Sequence, residues 1–178
     1  TAKDRETIET VILPLVRNFM AERGLTLSEE KTKITHISEG FDFLGFNIRK
    51  FPNNTLLTQP SDDAKKRFCD KIRKVIESNK TVKQRSLIKM LNPIIMGWGN
   101  YYKYGTSAET FHRVDWEIHR KLWQWARRRH SNKSKGWVKD KYFKTVNGRK
   151  WCFVADMEER SKMRQISLAY LPDIHHEK

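Results

Sequence analysis

Three apolar stripes at helical spacing, closely following one another between residues 61 and 130, constrain this chain more than any other feature. Ala64, Phe68, Ile72, Val75 and Ile76 form the first. Leu87, Ile88 and Leu91, continued by Ile94, Ile95, Trp98 and Tyr101, form the second, and Phe111, Val114, Ile118, Leu122 and Trp125 the third. Recurrence every three or four positions places each set along one side of an α-helix. Helices joined by short links cover those sides with one another, so the pattern predicts a three-helix bundle over 61–130. Ser61 is a good N-cap with Asp62 and Asp63 in the first turn, and Thr81 can cap the second helix. Pro93 should kink or restart that helix before an end at Gly105, and the third spans Ser107 to about Arg129. Trp116 and Trp123 lie a heptad apart and off the third stripe, beside His112 and His119. This second stripe needs a partner, whether another helix, the C-terminal segment or nucleic acid.

On either side of the bundle the pattern changes. Residues 5 to 23 place Ile8, Val11, Ile12, Leu15, Val16 and Phe19 at helical spacing, with Pro14 as a bend and Gly24 as a left-handed stop. Leu25 and Leu27, Ile34 and Ile37, then Phe41 to Ile48 read as two or three small strands. FPNNTLLTQPS, rich in Pro, Asn and Thr, is a connector or short hairpin. Beyond residue 130 a polar basic loop leads to Trp137–Phe143 and a β-hairpin turning at Asn147-Gly148. The fold class is mostly α: a small α/β remnant over 1–50, a connector over 51–60, the bundle over 61–130, and a less regular basic segment over 131–178.

Charge divides the chain in the same place. Of 36 Lys and Arg and 21 Asp and Glu, eight of each precede Phe51, so the whole excess of +15 lies beyond it. A basic surface of that size attracts polyanions, of which nucleic acid is the commonest inside cells. No apolar run approaches the roughly 20 residues of a membrane span, so no membrane partner is expected. Cys69 and Cys152 have no partner at metal-ligand spacing, and His175 and His176 do not supply it, so neither a disulfide framework nor a metal site is expected. The first residues lack a secretion signal, and the chain reads as an excised or processed piece.

Three motifs follow in order: RGLTLSEEKTKI, FDFLGF, and LNPIIMGWGNYY leading to LWQWARRRH. Together, from Thr1 to about Lys144, they resemble the C-terminal part of group II intron reverse transcriptases (maturases). The resemblance implies the last elements of a polymerase palm, then thumb and maturase region (domain X). The family's catalytic aspartates, including a Y-A-D-D hairpin, are not found here. The nearest look-alike, Val154-Ala155-Asp156-Met157, offers one carboxylate where two-metal phosphoryl transfer needs several, so Asp156 reads as a surface residue. The chain is expected to be inactive alone as a polymerase and to hold no cofactor; Mg2+ is expected for the missing palm and for the intron ribozyme.

The same resemblance puts Lys31 near the primer-template backbone, where the bland alternative is a solvated turn lysine. It makes Gly45 part of a primer-grip-like element, where the alternative is a bulge beside core Phe41, Phe43, Leu44 and Phe46. On the first bundle helix Lys65, Lys66, Arg73 and Lys74 suit a duplex backbone. In GWGNYY, Trp98 and Tyr101 read as core, while Asn100 and Tyr102 read as contacts to RNA. The densest nucleic-acid patch is Arg127, Arg128 and Arg129, with Arg120 on the same helix and Lys133, Lys135, Trp137 and Lys139 beyond it. The helix dipole accounts for part of that cluster. The expected function is binding intron RNA to assist splicing and gripping template-primer during target-primed reverse transcription (retrohoming). Partners would be intron RNA, template-primer and target DNA, and the remaining fingers and palm, in a bacterial cytoplasm or nucleoid or an organellar matrix. The alternatives are a stand-alone splicing factor derived from such an enzyme, a helical duplex-DNA-binding module, or a structural bundle.

Overall fold

The computed structural model describes residues 1–159 and 162–176, and the side chains of 1–156 and 164–174. The chain is mostly α with two small three-stranded sheets. Three long helices carry it: α3 (Asp62–Ser78), α4 (Gln84–Tyr102) and α5 (Ala108–Arg129). Ser61 caps α3, its hydroxyl accepting from Ala64 N–H at 3.2 Å. Thr81 does not cap α4: the helix begins after Lys83 without a side-chain cap. It runs unbroken through Pro93 and ends at Tyr102, before Gly105.

The stripe of α4 also differs from the expected one. Its buried positions are Leu87, Ile88, Leu91, Ile95, Gly99 and Tyr102, a continuation of the Leu91 to Ile95 step by four, then three, positions. Trp98 is half-buried on the flank, stacked on Phe68 at 4.5 Å. Tyr101 is 51% exposed and Tyr102 6%, the reverse of the expected assignment. Gly99 is in the core because a Cβ there would come within 2.7 Å of Ile174 Cδ1.

The partner that closes the bundle is the C-terminal segment. α6 (Lys135–Tyr142), β4 (Phe143–Val146), β5 (Arg149–Glu159), β6 (Lys162–Ser167) and α7 (Leu171–His176) follow α5. Val138, Tyr142, Phe143, Phe153, Ala155, Leu171 and Ile174 join the core of α3, α4 and α5. The β4–β5 hairpin turns at Asn147-Gly148, with φ of 49° and 77°, the left-handed pair that a tight two-residue turn requires. The Asn147-Gly148 pair marked this hairpin in the sequence, but α6, β6 and α7 were not marked.

At the other end, α1 (Arg5–Thr7), a π-helical turn (Ile8–Ile12) and α2 (Leu13–Ala21) form one helical arm. Pro14 has no N–H to donate, and just before it the ladder widens to a bond from Leu13 N–H to Ile8 O. Gly24 follows at φ 70°. Leu25 to Ile37 form no strand; the three strands lie later, as β1 (Phe41–Phe43), β2 (Phe46–Lys50) and β3 (Leu56–Pro60), in antiparallel order β1-β2-β3. Residues 51–55 are therefore the turn of a second hairpin, and β2 and β3 pair across the change in charge. No helix of the described residues is long and apolar enough to cross a membrane.

Candidate nucleic-acid interface

The basic patch expected after Arg127 is built on α6. Ser134 caps it, its Oγ accepting from Trp137 N–H at 3.2 Å, which fixes Trp137 in the first turn. Val138 and Tyr142, four residues apart, are buried. Trp137 lies on the neighbouring face and is 38% exposed. Its ring carries Lys141 Nζ at 4.7 Å and Lys133 Nζ at 5.6 Å, with His130 edge-on at 4.7 Å. The His130 ring is fixed by the Tyr142 hydroxyl at 2.8 Å. Partial burial, and behind it the cations Lys141, Arg129 and Lys133, hold its imidazole below the ordinary value. A flat aromatic face between two ammonium groups suits a stacked base with flanking phosphates.

The arginine run divides by role. Arg129 donates to Lys80 O at 2.6 Å and Val82 O at 3.0 Å, and its guanidinium lies 4.5 Å over Trp125. It closes the α3–α4 link, so it is a structural residue and not the free RNA-facing cation expected. Arg128 is exposed and lines a groove of about 40 Å3 between α3 and α5 with Arg73, Lys80, Lys121 and Trp125, opposite the single carboxylate of Glu77. Arg127 is half-buried. Lys80 and Lys121 carry no signal in the sequence because they are isolated there and converge only when α3 packs on α5.

Ion pairing separates the remaining cations. Lys65, Arg73 and Arg120 are each held by a carboxylate three positions earlier: Asp62 at 2.6 Å, Asp70 at 2.9 Å and Glu117 at 2.6 Å. Exposed pairs of this kind are weak and yield to a phosphate at little cost. Lys66, Lys74, Lys133, Lys135 and Lys139 are exposed, and among the described residues none of these five has an ion pair. Asp140 is the one carboxylate on α6.

The N-terminal candidates are not drawn to this patch. Lys31 is exposed in the Ser28–Thr32 turn. Gly45, at φ 81°, forms the β1–β2 turn with Leu44, not a bulge. Its carbonyl accepts from Ser61 N–H at 2.8 Å and Tyr102 O–H at 3.2 Å, and a Cβ would come 2.6 Å from Tyr102 Oη. The space beside Gly45 is thus filled by Tyr102, which is buried and not the exposed RNA-facing ring expected. Phe43 and Leu44, read as core, are 58% and 70% exposed, while Asn100 is exposed on α4.

The aromatic stripe on α5 finds its partner within the chain at Trp123 and His119. Trp123 meets Phe143 at 5.7 Å and Trp151 at 5.5 Å, and His119 meets the same two rings. Beside it, Asp115 accepts a hydrogen bond from Leu171 N–H at the start of α7, and burial pushes its carboxyl up to about 7 against that bond and the Arg149 charge. Cys152 is buried, with its sulfur 3.0 Å from Arg149 Nε, as fits a structural thiol.

Asp156 does not supply a polymerase site. Both carboxylate oxygens take Lys144 Nζ, at 2.8 and 2.7 Å, and one also takes Gln165. No group of three or more His, Cys, Asp or Glu among the described residues could hold a metal ion. The side chains of Met157, His175 and His176 lie outside the described residues. A family model, that of the group II intron, maturase-specific domain, matches residues 65–143, from the first turn of α3 to the start of β4. No curated protein matches the chain.

Proposed function

We propose, for a chain whose residues 65–143 belong to the group II intron maturase-specific domain family, that the α5–α6 end and the α3–α5 groove bind the intron RNA. That family has its role in group II intron splicing; the surface and mode of binding are our reading. The observation that carries it is Trp137, an exposed ring between Lys133 and Lys141, beside cations that no ion pair engages. Phosphates would meet Lys133, Lys135, Lys139 and Arg128, and an unpaired base would stack on Trp137, holding the ribozyme's fold while the RNA performs the splicing chemistry.

Template-primer gripping, target DNA and retrohoming extend the same reading to Lys66 and Lys74 on α3. They require a palm and fingers beyond these residues, and with them the Mg2+ of polymerisation. The alternative of a module placing α5 in a DNA groove is disfavoured by packing. One side of α5 is buried in the core, and its second stripe is covered at His119 and Trp123 by Phe143 and Trp151.

A salt series of binding to a structured group II intron RNA tests the proposal, with an unrelated RNA of equal length and duplex DNA as competitors. Intron binding should survive both competitors. Replacing Lys133, Lys135 and Lys139 with Gln should reduce the slope of log K against log salt by about 0.7 to 0.9 for each phosphate no longer neutralised. Equal affinity for all three polyanions would overturn the reading.

A further inference from the structure

Trp151 stands in a conformation that a large side chain rarely adopts, with φ at 62°. The cause lies in the β4–β5 register. Phe143 pairs with Phe153 and Lys144 with Cys152, yet Val146 pairs with Arg149. β5 therefore carries one residue more than β4 across this interval, a bulge at Lys150-Trp151. Left-handed backbone at a non-glycine residue costs on the order of 1 to 3 kcal/mol and is retained where a side chain must be aimed. Here it swings Trp151 toward α5, against Trp123 and His119, while leaving the residue 41% exposed.

The exposed part faces a cleft of about 370 Å3 between α5, the β4–β5 hairpin and the link from β6 to α7. Trp116, one heptad before Trp123 on the same stripe, lines this cleft and is 62% exposed. Thus the stripe is covered at Trp123 and open at Trp116. The aromatic walls are accompanied by cations: Lys139 Nζ lies 5.4 Å over Trp151, Arg120 lies 5.6 Å over Trp116, and Lys150 lines the cleft. Polar edges come from His112, from Asp115, and from Arg149, which lies 3.9 Å over Tyr170 and is tied to Asp173 at 3.1 Å.

We infer that this cleft receives one unstacked nucleobase of a single strand, its face against Trp116 or Trp151 and its neighbouring phosphates on Lys139, Lys150 and Arg120. An aromatic side chain of a protein partner would satisfy the rings but leave Lys139 and Lys150 unanswered, and would not draw Arg120 from its exposed pair with Glu117; a nucleotide presents both a π-face and an anion. The inference rests on the nucleic-acid-binding reading above but concerns a different stacking face from Trp137, with Lys139 between the two.

The full chain is titrated with a short mixed-sequence strand carrying one 2-aminopurine, in ribose and deoxyribose forms, and with the same strand annealed to its complement. Stacking of one base is worth about 1 to 3 kcal/mol, so Trp116→Ala should weaken single-strand binding about 5- to 150-fold and reduce the quenching of 2-aminopurine. Duplex binding should not change, and Trp116→Phe should restore most of the affinity. A weakening in both sugar forms assigns the site to the base alone; a weakening with ribose only adds a hydrogen bond to the 2′-hydroxyl. Trp116 is mostly solvent-exposed, so its truncation leaves the core intact. If the wild-type chain binds neither strand nor structured RNA, the proposed function itself fails. If it binds and Trp116→Ala binds single strands as tightly, or weakens on duplex and single strand equally, the base site alone is overturned.

Discussion

The helical arm at the N-terminus and the bundle of α3, α4 and α5 are written in the same pattern and folded to opposite ends. In the arm, Val11, Leu15 and Phe19 recur at helical spacing and are 50%, 63% and 55% exposed; no residue of α1, the π-helical turn or α2 is buried. In the bundle, Leu87, Ile88, Leu91, Ile95, Phe111 and Leu122 recur at the same spacing and are 0% exposed. Periodicity specifies which side of a helix is apolar and is silent on what covers it. Coverage comes from elements distant in sequence: Phe153, Leu171 and Ile174 complete the bundle core, and nothing among the described residues does the same for the arm.

The sharpest way to break this comparison is to truncate one phenylalanine in each region. Phe111→Ala removes a ring that packs on Trp98 and is fully enclosed, and should cost about 3 to 5 kcal/mol in urea unfolding. Phe19→Ala should change stability by no more than about 0.5 kcal/mol. A comparable destabilisation at Phe19 would mean that the arm packs on the body.

Next in size is the β1–β2 turn, where the sheet meets α4. Gly45→Ala combines left-handed backbone with a Cβ placed 2.6 Å from Tyr102 Oη. The expected cost is about 2 to 3 kcal/mol. In a Tyr102→Phe background the hydroxyl is gone, so the same substitution should cost about 1 kcal/mol less; a strictly additive cycle would rule out the clash as a cause.

This turn also marks how far the sequence could be read. Gly45 was legible as a position that needs no side chain, but its neighbour was not, because the register of α4 decides that Tyr102 and not Tyr101 points inward. Two adjacent tyrosines carry no local signal to choose between them. α3, α5, the Asn147-Gly148 turn and the basic run after Arg127 were legible because each rests on local chemistry: a cap, a period, a turn pair, a charge density. The groove cations Lys80 and Lys121 and the bulge at Trp151 were not, since all depend on packing or pairing between distant segments. Arg129 illustrates the same limit within a run of three identical residues.

A third test concerns the seam that joins α7 to the bundle. Asp115 is protonated more readily in the folded chain than unfolded, its carboxyl raised from 3.8 to about 7 by burial, with Arg149 opposing and Asp173 assisting. Folded chains therefore bind the extra proton between these values, and stability falls as pH rises from about 4 through 7, levelling above it. The decrease should be about 2 kcal/mol, below what the full shift implies because the cleft admits water. Asp115→Asn keeps an oxygen to accept from Leu171 N–H and should flatten that part of the profile. An unchanged profile would remove Asp115 as its source; of the other groups on this seam, burial pushes the Tyr170 hydroxyl further up, and the His119 imidazole, which burial holds below its ordinary value, moves stability in the opposite sense.

The smallest effect distinguishes partnered from unpartnered groups at adjacent positions, as the arm and the bundle do at large scale. Arg129→Ala strips two carbonyls of their donor and Trp125 of its stacked cation, and should cost about 1 to 2 kcal/mol in unfolding. Its direct effect on the salt slope of RNA binding should be nil. Arg128→Ala should leave stability within about 0.5 kcal/mol and lower the slope by about 0.7 to 0.9, the share of one phosphate. If the two variants exchange phenotypes, the groove between α3 and α5 is not part of the interface. The division of the arginine run then follows something other than the hydrogen bonds that hold Arg129 to the α3–α4 link.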